Sequence, residues 1–206
     1  MRNTFILFFI ILSLQITAIC QTNTEQKAGE FSLGVRNSIG FVYENDWNRI
    51  AFGSGGQFRI RFSEKVNSDW FIDFLQGDLE DFGKRTDVHI GWSVMYYPLN
   101  EQKFIQPYIL AGHCFEFLRM EENANFSNYA ERKSASVQAG AGIHFHISPK
   151  ADISLVGQYM MHFGTNIDIT RTPSITFNKP GGVSLQDHFL LHLSINYMLF
   201  DLWKRK

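Results

Sequence analysis

The sequence predicts an all-β fold, an eight-stranded antiparallel up-and-down transmembrane β-barrel, on three observations. Period-two alternation of apolar and polar residues returns eight times beyond Gln21, and sustained helical periodicity does not appear. The links between these stretches alternate between short and long, as in a meander closed into a barrel with tight turns on one rim and loops on the other. The polar faces carry Gly, Ser, His, Gln, Asn and a few Arg, whereas Lys is confined to the tail, turns and loops. Such small and bonded groups suit a narrow bore, since eight strands leave an interior that side chains can fill.

The strands follow in order. "FSLGVRNSIGFVY" sets Phe31, Leu33, Val35, Ile39, Phe41 and Tyr43 against Ser32, Gly34, Arg36, Ser38 and Gly40. "GQFRIRF" sets Phe58, Ile60 and Phe62 against Gln57, Arg59 and Arg61. "DWFIDFL" is the shortest and least regular. "DVHIGWSVMYY" opposes Val88, Ile90, Trp92, Val94 and Tyr96 to His89, Gly91, Ser93 and Met95. "FIQPYILAGHCFEFL" fits either register, because one exposes a misfit at His113 and the other at Glu116. "ASVQAGAGIHFHI" opposes Val137, Ala139, Ala141, Ile143 and Phe145 to Gln138, Gly140, Gly142, His144 and His146. "DISLVGQYMMHF" and "DHFLLHLSINYMLF" complete the set. The stretches run from seven to about 15 residues, bracketing the ~10 that a strand needs to cross a bilayer at a tilt.

Short links follow the even strands ("SEKVNS", "PLNEQK", "SPKA"), and long ones follow the odd strands, at 44–54, 76–86, 119–134 and 164–184. Aromatic residues near strand ends (Tyr43, Trp70, Tyr96, Tyr97, Phe104, Tyr159, Phe163, Tyr197 and Trp203) fit girdles at the two membrane interfaces. The apolar face is therefore read as outward, toward lipid. The opposite reading is a secreted lipocalin-like carrier, with a greasy cavity and a solvated outside.

Ahead of the barrel, "MRNTFILFFIILSLQITAICQ" has the Arg2, the apolar core from Phe5 to Leu14 and the Ala18-Ile19-Cys20 ending of a secretory signal cut before Gln21. The domain reading is a signal peptide at 1–20, a short segment at 21–28, a barrel at 29–200 and a tail at 201–206. Lipidation at Cys20 is the secondary reading of that end. After the cut only Cys114 remains, so no intramolecular disulfide is expected. The net charge of −1 over 206 residues supplies no basic surface for nucleic acid.

The run "YYPLNEQKFIQPYILAG", followed by a closing strand that ends in aromatics, resembles the outer-membrane β-barrel domain family of Gram-negative bacteria, including the small OmpA-type eight-stranded barrels. The resemblance covers roughly residues 29–200. It implies residence in the cell outer membrane, short periplasmic turns and long extracellular loops, with lipid and lipopolysaccharide as neighbours. It also implies that Tyr197 and Phe200 form the assembly signal read by the barrel assembly machinery, with "DLWKRK" as an added tail. Any extracellular ligand is expected at the four long loops, which gives a structural or adhesive role.

Within the bore the expected polar network is Arg36, Arg59, Arg61, Asp73, His144, Gln158 and His192, joined by Glu116 in one register of strand five. Buried charges must be paired, so these groups are expected to plug the lumen. His89, His144, His146, His162 and His192 all read as lumenal. His144 and His162 are set on the order of 20 Å apart along the bore, against zinc bonds of ~2 Å, so the histidines are read as polar filler, with no metal and no cofactor.

One enzymatic reading comes from "MMHFGTN" and "FNKPGG", which are similar to the lipid A 3-O-deacylase barrels and their His-x-Ser-Asn pattern. His162 matches the histidine. Gly164 stands where the nucleophilic serine should be, Asn166 comes one position late, and Thr165 points to the other face. Without a hydroxyl there is no nucleophile, and the expectation is that the protein is not an enzyme.

Overall fold

The computed structural model describes residues 28–44, 47–100, 104–179 and 181–203. The signal peptide, Cys20, the tip of the first hairpin and the last three residues lie outside the described residues. Eight long strands form one closed barrel: β1 (Glu30–Glu44), β2 (Trp47–Arg61), β3 (Val66–Leu79), β4 (Gly83–Tyr96), β5 (Ile105–Glu122), β6 (Tyr129–Ser148), β7 (Ala151–Gly164) and β10 (Ser184–Asp201). Each pairs antiparallel with its chain neighbour, and β1 closes the ring on β10 from Glu30↔Asp201 to Tyr43↔Asp187. Closure leaves no sheet edge, the condition for burying strands in hydrocarbon. Two short strands, β8 (Asp168–Thr170) and β9 (Thr176–Asn178), form a separate hairpin within the last long loop.

Exposure assigns the faces. Val35, Phe52 and Ile195 are 64%, 62% and 54% exposed, while Arg59, Asp73 and Glu116 are 3%, 0% and 0% exposed. That inverts the arrangement of a water-soluble protein and is the reverse of what a solvated carrier needs. The register of β5 follows the even positions: Gln106, Cys114 and Glu116 point inward, and His113 leans outward against Phe115, with ring centroids 4.7 Å apart. The carboxylate goes inside because only the bore offers it cations.

On the outside an aromatic chain crosses five adjacent strands. Phe200, Phe31, Phe58, Trp70 and Trp92 follow one another with ring centroids 5.1, 5.9, 5.9 and 6.2 Å apart. Tyr96, Phe104, Tyr159, Phe163, Tyr197 and Trp203 are exposed as well. Tyr97 is a correction to the expected girdle. It follows Tyr96 and therefore points inward, where it is buried in the barrel floor. The side chain of Tyr43 lies outside the described residues. The chain end turns back at Gly29 (φ +100°), whose carbonyl accepts from the Leu202 N–H at 2.8 Å. A side chain at Gly29 would be strained there and would meet Trp203.

The long loops need a second correction. Expected at 44–54, 76–86 and 119–134, they are mostly strand: β2 begins at Trp47, β3 runs to Leu79 and β5 to Glu122. Even the irregular "DWFIDFL" belongs to a 14-residue strand. Strands of 14 to 20 residues exceed the ~10 that cross a membrane, so the hairpins continue as paired ribbon above it. Polar residues on both faces of these extensions gave a loop-like composition without breaking the ladder.

Inside, bulky groups fit because the opposing positions lack them. A Cβ at Gly142 would stand 2.5 Å from Cζ of Tyr108, and one at Gly91 would stand 2.8 Å from Cζ of Phe71. Two outcomes follow. Gly142→Val overpacks the floor and lowers unfolding stability by about 1–3 kcal/mol, read as a lower temperature for loss of the heat-modifiable gel form. Ile195→Arg, on the lipid face, costs about 2–4 kcal/mol when placed near the bilayer midplane, measured by denaturant unfolding in vesicles.

Candidate functional site

Inward side chains line the bore in layers. At the floor, Arg59 donates to Asp152 Oδ1 and Ser154 Oγ, both at 3.0 Å, and lies 3.4 Å from Asp69 Oδ1. Asn196 donates to the same Asp152 oxygen at 3.0 Å and accepts from Gln57 at 2.5 Å. The Tyr97 hydroxyl bridges the Asn67 amide and His144 Nε2, each at 3.1 Å, while His144 Nδ1 meets Ser154 Oγ at 2.6 Å. Tyr108 stacks on the His144 ring at 4.3 Å. At the bottom Arg61 donates to the carbonyls of Ser63 and Glu64 at 3.3 and 3.0 Å.

The middle layer mixes ion pairs with grease. Arg36 reaches Asp73 at 3.0 Å and Asp69 at 3.6 Å, with its guanidinium 4.5 Å from the Phe71 ring centre. His192 Nδ1 meets Ser38 Oγ at 2.7 Å. Gln158 donates to Gln138, which donates to Ser93, each at 2.7 Å. Around them pack Ala51, Phe71, Leu75, Cys114, Met160 and Leu190. The expected set of Arg36, Arg59, Arg61, Asp73, His144, Gln158 and His192 is thus inside the barrel, spread over two layers.

A third layer lies above. Arg85 donates to Asp87 at 2.8 Å. Glu116 Oε2 accepts from Arg132 at 2.5 Å and from Ser134 at 2.7 Å, and Arg132 also bonds Gln186. Three histidines surround the same carboxylate: His89 Nε2 at 3.6 Å and His188 Nδ1 at 3.7 Å from Oε1, and His162 Nδ1 at 3.5 Å from Oε2. The donor atoms of His89, Glu116, His162 and His188 all lie within 4.8 Å of one another.

This corrects the expectation that the histidines share no site. The separation of His144 from His162 stands, since His144 pairs with Ser154 and His162 with Ser136, eight positions along β6. What the sequence reading lacked was His188, two residues before Leu190 in the inward register, and the inward turn of Glu116. As for the deacylase-like pattern, His162 is buried in the bore and Gly164 ends β7, while Asn166 accepts from Gln186 at 2.8 Å and from Ser184.

A cap sits over the third layer. Ile167, at the entry to the last long loop, is buried against Leu79, Leu118, Met120 and Ala130, and Phe82, Ile169 and Phe177 pack around them. Arg171 holds Glu80 at 2.5 Å and lies over the Phe82 ring at 4.4 Å. Asn128 donates to the Ile175 carbonyl at 2.8 Å. The last loop is therefore tied to the two preceding hairpins.

No family model matches this chain, and no curated protein matches it. Solved structures do. Neisserial surface protein A (NspA) is 11% identical, with 85% of this chain and 100% of that chain covered at a TM-score of 0.61. OprG from Pseudomonas aeruginosa is 13% identical, covering 84% and 97% at 0.54. Ail, the attachment invasion locus protein of Yersinia pestis, is 14% identical, covering 84% and 99% at 0.51. At these identities the likeness is one of fold, and the chain has the eight-stranded barrel fold of outer-membrane proteins.

The buried charges make one outcome testable. Arg36→Leu leaves Asp73 and part of Asp69 without their cation and lowers stability by about 3–5 kcal/mol, measured by reversible denaturant unfolding of the folded barrel.

Proposed function

We propose that this chain is an integral protein of a Gram-negative outer membrane that acts at the cell surface through its extracellular crown, with a bore closed to passage by its own side chains. The observation that carries this reading is the interlocked cap: Arg171 to Glu80, Asn128 to Ile175, and Ile167 buried among Leu79, Leu118, Met120 and Ala130. A pore has no use for a mouth sealed by apolar packing, whereas a contact surface gains from loops held in one arrangement, because ordering them on binding costs affinity. The fold shared with Ail, named for attachment, supports an interaction role over a transport role.

The partners on this reading are lipid and lipopolysaccharide around the belt and an extracellular ligand at the crown. Tyr197 and Phe200, both exposed near the end of β10, serve as the recognition signal for barrel assembly. Two measurements check the reading together. Purified barrels in planar bilayers are expected to give no stepwise ionic conductance. Cells displaying the barrel are expected to be retained on an array of extracellular proteins and polymers, and to lose that retention when residues 168–178 are replaced by a short Gly-Ser link. Steady channel openings by the intact barrel, or unchanged retention without that hairpin, would overturn it.

A further inference from the structure

We infer that His89, Glu116, His162 and His188 form a binding site for one divalent transition-metal ion of the zinc class, inside the barrel and beneath the cap. Four strands supply one ligand each: β4, β5, β7 and β10. The donor atoms converge within 4.8 Å of one another, and all four residues are buried. A tetrahedral zinc site, with bonds of ~2.0–2.1 Å, has ligand atoms roughly 3.4 Å apart. Side-chain adjustments on the order of 1 Å therefore close the set, a change within reach of χ rotations alone.

The hydrogen bonding of the cluster points the same way. Both ring nitrogens of His89, Nε2 of His162 and Oε1 of Glu116 are buried without a hydrogen-bond partner. Other buried atoms of the bore lack a partner as well, Asn67 Oδ1 and His192 Nε2 among them, but only here do several such atoms belong to imidazole and carboxylate groups whose ligand atoms converge within 4.8 Å. The other oxygen of that carboxylate is already engaged, by Arg132 at 2.5 Å and Ser134 at 2.7 Å. Ser134 also faces His162 Nδ1 at 3.4 Å, and the other ring nitrogen, Nε2, has no hydrogen bond. Outer bonds of this kind orient metal ligands.

The donor chemistry selects the ion. Three imidazoles and one carboxylate suit Zn²⁺, and by the same ligand preference Co²⁺, Ni²⁺ or Cu²⁺, whereas Mg²⁺ and Ca²⁺ require oxygen shells. Two cations stand near. Arg85 donates to Asp87 at 2.8 Å and also lies 3.6 Å from Glu116 Oε1 and 3.4 Å from His188 Nε2. Its outer nitrogen must therefore swing aside for the ion to enter, while Arg132 is engaged by the other Glu116 oxygen. Asp73, opposite His89 in the β3–β4 register, has a carboxylate oxygen without a hydrogen bond and adds negative charge beside the site. Four protein ligands leave no open coordination position, so the ion is structural. It ties β4–β5 to β7–β10 across the bore directly under the cap, and it enters during folding or when the cap lifts.

The test uses the chain without a polyhistidine tag, refolded into detergent with micromolar ZnCl2 or CoCl2, desalted, and assayed by elemental analysis and visible absorption. One zinc per folded barrel is expected. The cobalt form should show the intense d–d absorption of a tetrahedral site, and zinc should raise the temperature at which the folded gel form is lost. His89→Ala and His188→Ala should each weaken binding by ~100-fold or more, while His192→Ala, a lumenal histidine outside the cluster, leaves it unchanged. Should the cluster variants fail to fold, the wild-type cobalt spectrum decides alone. A weak octahedral spectrum, folded barrel without bound metal, or binding undiminished in folded His89→Ala and His188→Ala overturns the site.

Discussion

The structure depends on closure of the β1–β10 seam. Once Glu30 through Tyr43 pair with the last strand, every strand has two neighbours and the backbone needs no water. That permits the exterior to be greasy, and it forces what remains polar into a cylinder only eight strands around. In so narrow a space a charge has no solvent to turn to. Arg36, Arg59, Arg61, Arg85 and Arg132 face Glu30, Asp69, Asp73, Asp87, Glu116 and Asp152 there, a near balance that burial demands. The inward glycines follow from the same geometry: Gly91 and Gly142 yield their volume to Phe71 and Tyr108.

Much of this was legible in the sequence because period two reports the face of a strand directly. The existence of the long strands, the inward rows of β1, β2, β4 and β6, and much of the polar content of the two lower layers can be read from alternation alone, whereas the regularity of β3, the register of β5 and the inward turn of Tyr97 cannot. Nor can the limits of the strands. Arg85 and Asp87 continue the parity of His89, and Arg132 and Ser134 continue that of Gln138, but Arg85, Arg132 and Ser134 fall where composition reads as loop, and Asp87 stands at the very start of its stretch. Above the membrane both faces of a ribbon are polar, so the signal that marks a strand fades while the hydrogen-bonded ladder persists. Extending the parity upward through those segments would have placed all four in the bore.

The third layer was hidden for a different reason. A constellation drawn from four strands has no spacing motif, and its members stand 27, 46 and 26 positions apart in sequence order (His89 to Glu116, then His162, then His188). Only the register brings them level, and the register of β5 rests on one residue, Glu116, whose inward turn is favoured by the arginines already present. Tyr97 shows the converse. Its neighbour Tyr96 meets lipid, and one step along the strand converts an interface aromatic into a floor residue bonded to Asn67 and His144.

The ties among the upper hairpins have an immunological consequence. Because Glu80, Asn128, Ile175 and Arg171 hold three separate chain segments in one arrangement, the outermost face is a composite patch. A linear peptide copied from any single segment lacks the neighbours that shape it. Antibodies raised against the folded crown would recognise a discontinuous epitope and lose it on denaturation, and a substitution in one hairpin would alter the antigenic surface contributed by the others.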